Sequence, residues 1–211
     1  MTAIIYPLLD TAVCSARGFD LLALADACLR GGARILQLRA KDESSARVTE
    51  FADRLVAAAR PFGARIVIND RADIALMSGA DGVHVGQTDL PVDAVRAMLG
   101  RDRIVGVSTH DREQIDRALA TSASYVAVGP VFATTTKDTG YEPRGLDLVR
   151  YAAGRGTPIV AIGGITLERA PDVIAAGASA LAVITDIFAG GDVEARVRAY
   201  CARLPAQSFR V

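Results

Sequence analysis

Short runs rich in Val and Ile alternate along the chain with longer Ala/Leu/Arg stretches at helical spacing. The short runs predict strands over residues 3–9, 34–38, 65–68, 82–85, 104–107, 125–128, 158–162 and 180–184. The longer stretches predict helices over 20–30, 43–60, 72–78, 91–99, 112–121, 146–153, 167–176 and 193–204. Punctuation supports these limits. Pro91 suits a first helical turn, where its missing N–H costs nothing. Gly31-Gly32, Gly79, Gly100 and Gly177 stand where helices should stop. The phrases GGARI, SGADGV and AAGASAL recur as helix-to-strand connections, a weak repeat of βα units.

Eight such units predict a single (β/α)₈ TIM barrel over 1–205, with 206–211 as a short tail. An open doubly wound sheet is the alternative, but no G-x-G-x-x-G follows the first strand. Composition excludes several classes. Lys+Arg and Asp+Glu are equal at 24 each, and Trp is absent, so no nucleic-acid or membrane partner is expected. Cys14, Cys28 and Cys201 match no metal or redox spacing and read as reduced thiols of a cytoplasmic protein. We expect no leader at the N-terminus and no membrane span.

A barrel gathers the residues after its strands on one face. The second strand delivers Gln37, Arg39 and Lys41, and alternation puts all three on one side. The third delivers Asn69 and Asp70, the fourth Gln87 and Asp89, the fifth Ser108 and Thr109. The sixth opens into GPVFATTTKDTG, with Thr134, Thr135, Thr136 and Lys137. The seventh ends in Gly163-Gly164 and the eighth in Ile184 and Thr185. Taken singly, most have a plain alternative: Asp70, Asp89, Ser108 or Thr109 as helix caps, the charges as solvated surface, His84 as a packed strand residue, His110 as part of a turn.

Together they describe a polar rim. Two carboxylates beside cations suit Mg²⁺, which takes one or two carboxylates plus substrate phosphates. The Gly-rich turns after the last two strands suit a second anion held by backbone N–H groups. Two phosphate subsites follow, and hence two phosphorylated substrates or one bisphosphate. No Ser–His–acid set or Cys–His pair appears in these windows, so catalysis should rest on positioning and on stabilising a leaving phosphate or diphosphate.

The stretches QLRAK, INDRADIAL, GADGVHVGQTDLP, GVSTH, YVAVGPVFATTTK, AIGGI and AVITDI, in that order, resemble the thiamine-phosphate synthase family. The resemblance implies condensation of 4-amino-2-methyl-5-hydroxymethylpyrimidine diphosphate with 4-methyl-5-(2-hydroxyethyl)thiazole phosphate, or its carboxylated form. Thiamine phosphate and diphosphate are the products, reached by dissociative, Mg²⁺-assisted loss of diphosphate. It implies that Gln37, Arg39, Lys41, Asn69, Ser108 and Lys137 hold the pyrimidine diphosphate, with Lys137, Ser108 and Arg39 acting most directly in catalysis. Thr134, Thr136, Gly164, Ile184 and Thr185 hold the thiazole phosphate, and Asp70 and Asp89 bind Mg²⁺.

Three positions depart from the family's common pattern: Thr185 in place of Ser, Ala133 in place of Pro and Ser124 in place of Asp. None removes a phosphate or metal ligand. Two alternatives stay open, a thiazole tautomerase and a non-catalytic thiamine-pathway regulator on the same barrel. Whether the chain forms a homo-oligomer also stays open.

Overall fold

The computed structural model describes residues 4–134 and 140–204. Among them eight parallel strands close into a barrel in sequence order: β1 (Ile4–Asp10), β2 (Ile35–Arg39), β3 (Arg65–Asn69), β4 (Gly82–Val85), β5 (Ile104–Thr109), β6 (Tyr125–Val128), β7 (Ile159–Ile162) and β8 (Ala180–Val183). The ring closes where Ile4 to Pro7 of β1 run beside Ala180 to Val183 of β8. The helices are α1 (Thr11–Ala16), α2 (Leu21–Arg30), α3 (Ser45–Ala59), α4 (Ala72–Met77), α5 (Val92–Leu99), α6 (Arg112–Leu119), α7 (Gly145–Ala152), α8 (Ala170–Ala175) and α9 (Val193–Arg203).

Strand alternation divides the core into two layers. Outward-facing residues such as Leu36, Leu38, Ile66, Ile68, Val105 and Val107 pack against the helices. Inward-facing residues form a separate cluster of Tyr6, Leu8, Ile35, Val67, Ile104, Tyr125, Ala127, Val160, Ala180 and Ala182. Each inward row then runs on, by steps of two, into a polar residue at the strand's C-terminal end. Ile35 leads to Gln37 and Arg39, Val67 to Asn69, Ile104 to Ser108, and Tyr6 and Leu8 to Asp10. The period that fills the barrel therefore also aims these polar side chains.

Two readings need correction. The first helical unit begins earlier than 20–30: α1 follows β1 directly, capped by Asp10, whose side chain accepts from the Val13 N–H at 3.0 Å. Six residues are too few for periodicity to reveal. The stretch expected to be helical over 167–176 is regular over Ala170–Ala175, and Leu167 ahead of it donates its N–H to the Asp186 carboxylate. The tail 206–211 lies outside the described residues.

One glycine is set by close approach. Gly106 lies beside Tyr125 in the β5–β6 register, and a Cβ there would sit 2.1 Å from Tyr125 Cζ. Gly106→Ala should therefore push the tyrosine ring from its seat. Overpacking of this kind costs about 1–3 kcal/mol, and urea denaturation should show it as a lowered midpoint with an unchanged slope.

Candidate active site

A cavity opens at the C-terminal end of the strands, about 890 Å³ with its mouth included. One arc of its wall carries Gln37, Arg39, Asn69 and Ser108, and the other carries Thr134, Gly164, Ile184 and Thr185. The structure thus brings eight of the expected residues, from six strand ends, into one space. Among the described residues no Asp or Glu lines it. Thr136 and Lys137 lie outside the described residues.

Lys41, Asp70 and Asp89 stand apart from this lining and together. Lys41 Nζ lies 3.1 Å from Asp70 Oδ2. β2 ends at Arg39, so strand alternation does not govern Lys41. The helix-cap alternatives fail for both acids. α4 is preceded by Arg71 and α5 by Pro91, and neither helix has a side-chain cap. Asp89 instead accepts from the Gly86 N–H at 2.7 Å, which turns its carboxylate back toward the strand end.

Asp70 is held in the left-handed region, at φ 64°, an uncommon conformation for a residue with a side chain. Its N–H donates to the His84 carbonyl at 2.7 Å, and the Arg71 N–H donates to the Asn69 carbonyl at 2.8 Å. The backbone turns sharply there and sends the carboxylate toward Asp89. Burial raises the Asp70 carboxyl above its ordinary range; the Lys41 ammonium opposes this, and the nearby Asp89 carboxyl adds to it. Two crowded, partly desolvated carboxyls of this kind favour a cation between them. Among the described residues no group of three or more His, Cys, Asp or Glu could hold a metal. Two all-oxygen ligands fit Mg²⁺ completed by substrate phosphates and water, and do not suit zinc.

Two features around the cavity were not expected. Asp10, on β1, forms a buried ion pair with the Arg39 guanidinium. Its place at a strand end, the same place as Asp70, was the available signal. The second is a set of hydroxyl and imidazole groups below the mouth. Tyr6 and Tyr125 are fully buried edge to face, with ring centroids 6.0 Å apart. His84 stacks on Tyr125 and bonds to both Tyr125 and Ser108. So His84 is packed, as expected of a strand residue, but packed as a polar link. His110 also lines the cavity, with Nδ1 2.6 Å from the Gly129 carbonyl.

On the other arc, Gly163 and Gly164 have φ of 98° and 62°. A Cβ on Gly164 would meet the Ala133 carbonyl oxygen at 2.5 Å, so glycine is needed first for the packing of the β7 turn against the loop after β6. The Phe132 N–H donates to the Gly163 carbonyl at 3.0 Å, and Arg169 donates to the Gly164 carbonyl at 2.7 Å. After β8 a single 3₁₀ turn (Asp186–Phe188) follows Thr185, whose side chain makes no cap bond. The Asp186 carboxylate is drawn away from the cavity by Arg196 at 2.9 Å and the Tyr200 hydroxyl at 2.6 Å.

A closed (β/α)₈ barrel with cationic, amide and hydroxyl groups converging at its strand ends defines a barrel enzyme of small anionic substrates. The sequence matches the thiamine monophosphate synthase family model over residues 5–187. A thiamine-phosphate synthase of Thermosynechococcus vestitus is 44% identical over 87% of this chain, which spans 52% of that longer protein. A putative thiamine-phosphate synthase of Geobacter sulfurreducens is 41% identical over 92% of this chain and 91% of its own length. The solved thiamine phosphate pyrophosphorylase of Pyrococcus furiosus superposes with a TM-score of 0.84 at 28% identity, covering 94% of each chain. The chain belongs to the thiamine monophosphate synthase family, and its activity is thiamine-phosphate synthesis, a transferase reaction. The tautomerase and regulator alternatives find no support in these matches.

Proposed function

We propose that the chain transfers a pyrimidinylmethyl group from its diphosphate to a thiazole phosphate, with the two substrates on the two arcs of one cavity. The observation that carries this reading is the meeting of Gln37, Arg39, Asn69 and Ser108 with Thr134, Gly164, Ile184 and Thr185 in a single space that no described carboxylate lines. The carbon–oxygen bond to diphosphate breaks with its electron pair leaving on oxygen. The thiazole nitrogen's lone pair then forms the new carbon–nitrogen bond. No proton is lost or gained, so no acid–base residue is required.

Each group has a definite task. Arg39, pinned by Asp10, and Lys41 supply positive charge to the diphosphate. Gln37 and Asn69 orient the pyrimidine substrate, and Ser108 reaches its diphosphate. The family resemblance assigns Lys137 to the diphosphate as well. Thr134, Thr136, Thr185 and the backbone at Gly164 and Ile184 hold the thiazole phosphate. Asp70 and Asp89 would hold Mg²⁺, which when bound neutralises charge on the leaving diphosphate. Among the described residues no helix is long and apolar enough to cross a membrane. The three cysteines are free, which suits the reducing cytoplasm.

The test is formation of thiamine phosphate from the two substrates, with and without Mg²⁺. Calorimetry adds a sharper check. A chelator should weaken pyrimidine diphosphate binding at least about tenfold, since it removes the cation between two anionic partners. Thiazole phosphate, on the carboxylate-free arc, should bind equally well in both conditions. Equal weakening of both ligands would mean one metal-bridged cluster in place of two subsites.

A further inference from the structure

Five side chains from five strands form one hydrogen-bonded line across the barrel. Gln37 Nε2 donates to the Tyr6 hydroxyl at 3.1 Å, and the Tyr6 and Tyr125 hydroxyls meet at 3.1 Å. The Tyr125 hydroxyl meets His84 Nδ1 at 2.9 Å, and His84 Nε2 meets Ser108 Oγ at 2.8 Å. Each hydroxyl carries one proton, and a neutral imidazole carries one.

One direction through these bonds satisfies those counts. Gln37 spends a donor on Tyr6, and among the described residues Tyr125 is the acceptor that the Tyr6 proton can reach. Burial pushes both phenols well above their usual range, so both stay protonated. The Tyr125 proton then goes to His84 Nδ1. A neutral imidazole that accepts at Nδ1 carries its proton on Nε2 and gives it to Ser108 Oγ. What remains is the Ser108 hydroxyl proton, at a residue that lines the cavity.

We propose that this line fixes Ser108 as a hydrogen-bond donor to the diphosphate of the pyrimidine substrate, with Tyr6, Tyr125 and His84 as its positioning residues. The inference rests on the synthase reading given above. A serine hydroxyl can ordinarily donate or accept, and toward an anion only donation is favourable. Successive bonds polarise one another, which strengthens the last donor. That bond strengthens further as negative charge builds on the departing oxygens. No proton changes owner.

The experiment is ¹⁵N NMR of protein labelled at its two histidines, with His84→Gln used to assign the His84 signals by their loss. The expected spectrum shows a neutral His84 protonated on Nε2. The opposite tautomer, or an imidazolium, overturns the proposal, since either changes the direction of the line. Tyr125→Phe removes the donor to Nδ1 and should leave His84 a mixture of tautomers. Turnover should then fall about tenfold, the worth of one hydrogen bond to a charged group.

Ser108→Ala should lose at least as much, and the double variant no more than Ser108→Ala alone. Fully additive losses overturn the proposal. The wild-type spectrum needs no variant, so misfolding of Tyr125→Phe cannot shelter the idea. A wild-type protein that makes no thiamine phosphate sinks the synthase reading; a wrong tautomer in an active enzyme sinks only this one.

Discussion

Asp70→Asn should lower turnover by at least about a hundredfold while the barrel stays folded, and Asp89→Ala should do likewise. Loss of metal stabilisation at a leaving group costs several kcal/mol of transition-state energy, and each 1.36 kcal/mol is about tenfold in rate. The structure separates this loss from any loss of fold. Asn tolerates the left-handed backbone that Asp70 adopts at φ 64°. The Asp70–Lys41 pair is partly exposed, at 24% and 46% of the side chains, and such pairs contribute little to stability.

The sign of the pKa change agrees. A carboxyl raised above its unfolded value weakens the folded state at pH values where it must be ionised. Removing that charge should therefore leave the neutral-pH unfolding midpoint of the metal-free protein unchanged or slightly higher. Asp70→Gly makes the point more strongly, because it also relieves the backbone. Kinetics across a Mg²⁺ titration, beside urea denaturation of the metal-free variants, checks both halves. Turnover near the wild-type level with normal Mg²⁺ dependence would remove the shared-metal assignment. A large fall in the unfolding midpoint would instead make Asp70 a structural residue.

The rim was legible in the sequence because strands and site obey one period. Val/Ile runs mark the strands, and two-residue steps carry Ile35 to Gln37 and Arg39, and Val67 to Asn69. What stayed hidden depends on contacts that sequence spacing does not encode. Tyr6 and Tyr125 are 119 positions apart and occupy inward positions where an aromatic reads as plain core. Their hydroxyls matter only once closure of the ring brings β1, β4, β5 and β6 around one axis. The need for glycine at 164 was visible, but its packing reason was not, since the Ala133 carbonyl that it accommodates belongs to a loop more than thirty residues earlier. Asp10 was missed because α1 has only six residues, too short for its cap to stand out.

A single substitution at Asp10 should cost several kcal/mol of stability. Its side chain is 2% exposed and has two partners, the Val13 N–H through Oδ1 and the Arg39 guanidinium through Oδ2. Asp10→Ala removes a helix cap, about 1 kcal/mol, and strands a guanidinium whose side chain is only 17% exposed, about 3–5 kcal/mol. A loss on the order of 4 kcal/mol is expected in urea denaturation. Asp10→Asn divides the two effects, because its amide oxygen can still accept from Val13 while its NH₂ faces Arg39 with donors only.

In the proposed reading Arg39 also loses the contact that orients it toward the diphosphate. The Michaelis constant for the pyrimidine substrate should therefore rise in Asp10→Asn while that for the thiazole substrate holds. Adding Arg39→Gln to Asp10→Asn should recover much of the stability, since no buried charge is then left unpaired, and should recover none of the turnover. If Asp10→Asn unfolds at the wild-type midpoint and keeps both Michaelis constants, the ion pair neither stabilises β1 against β2 nor aims Arg39. The charge on that arc would then have to be positioned by the substrate itself.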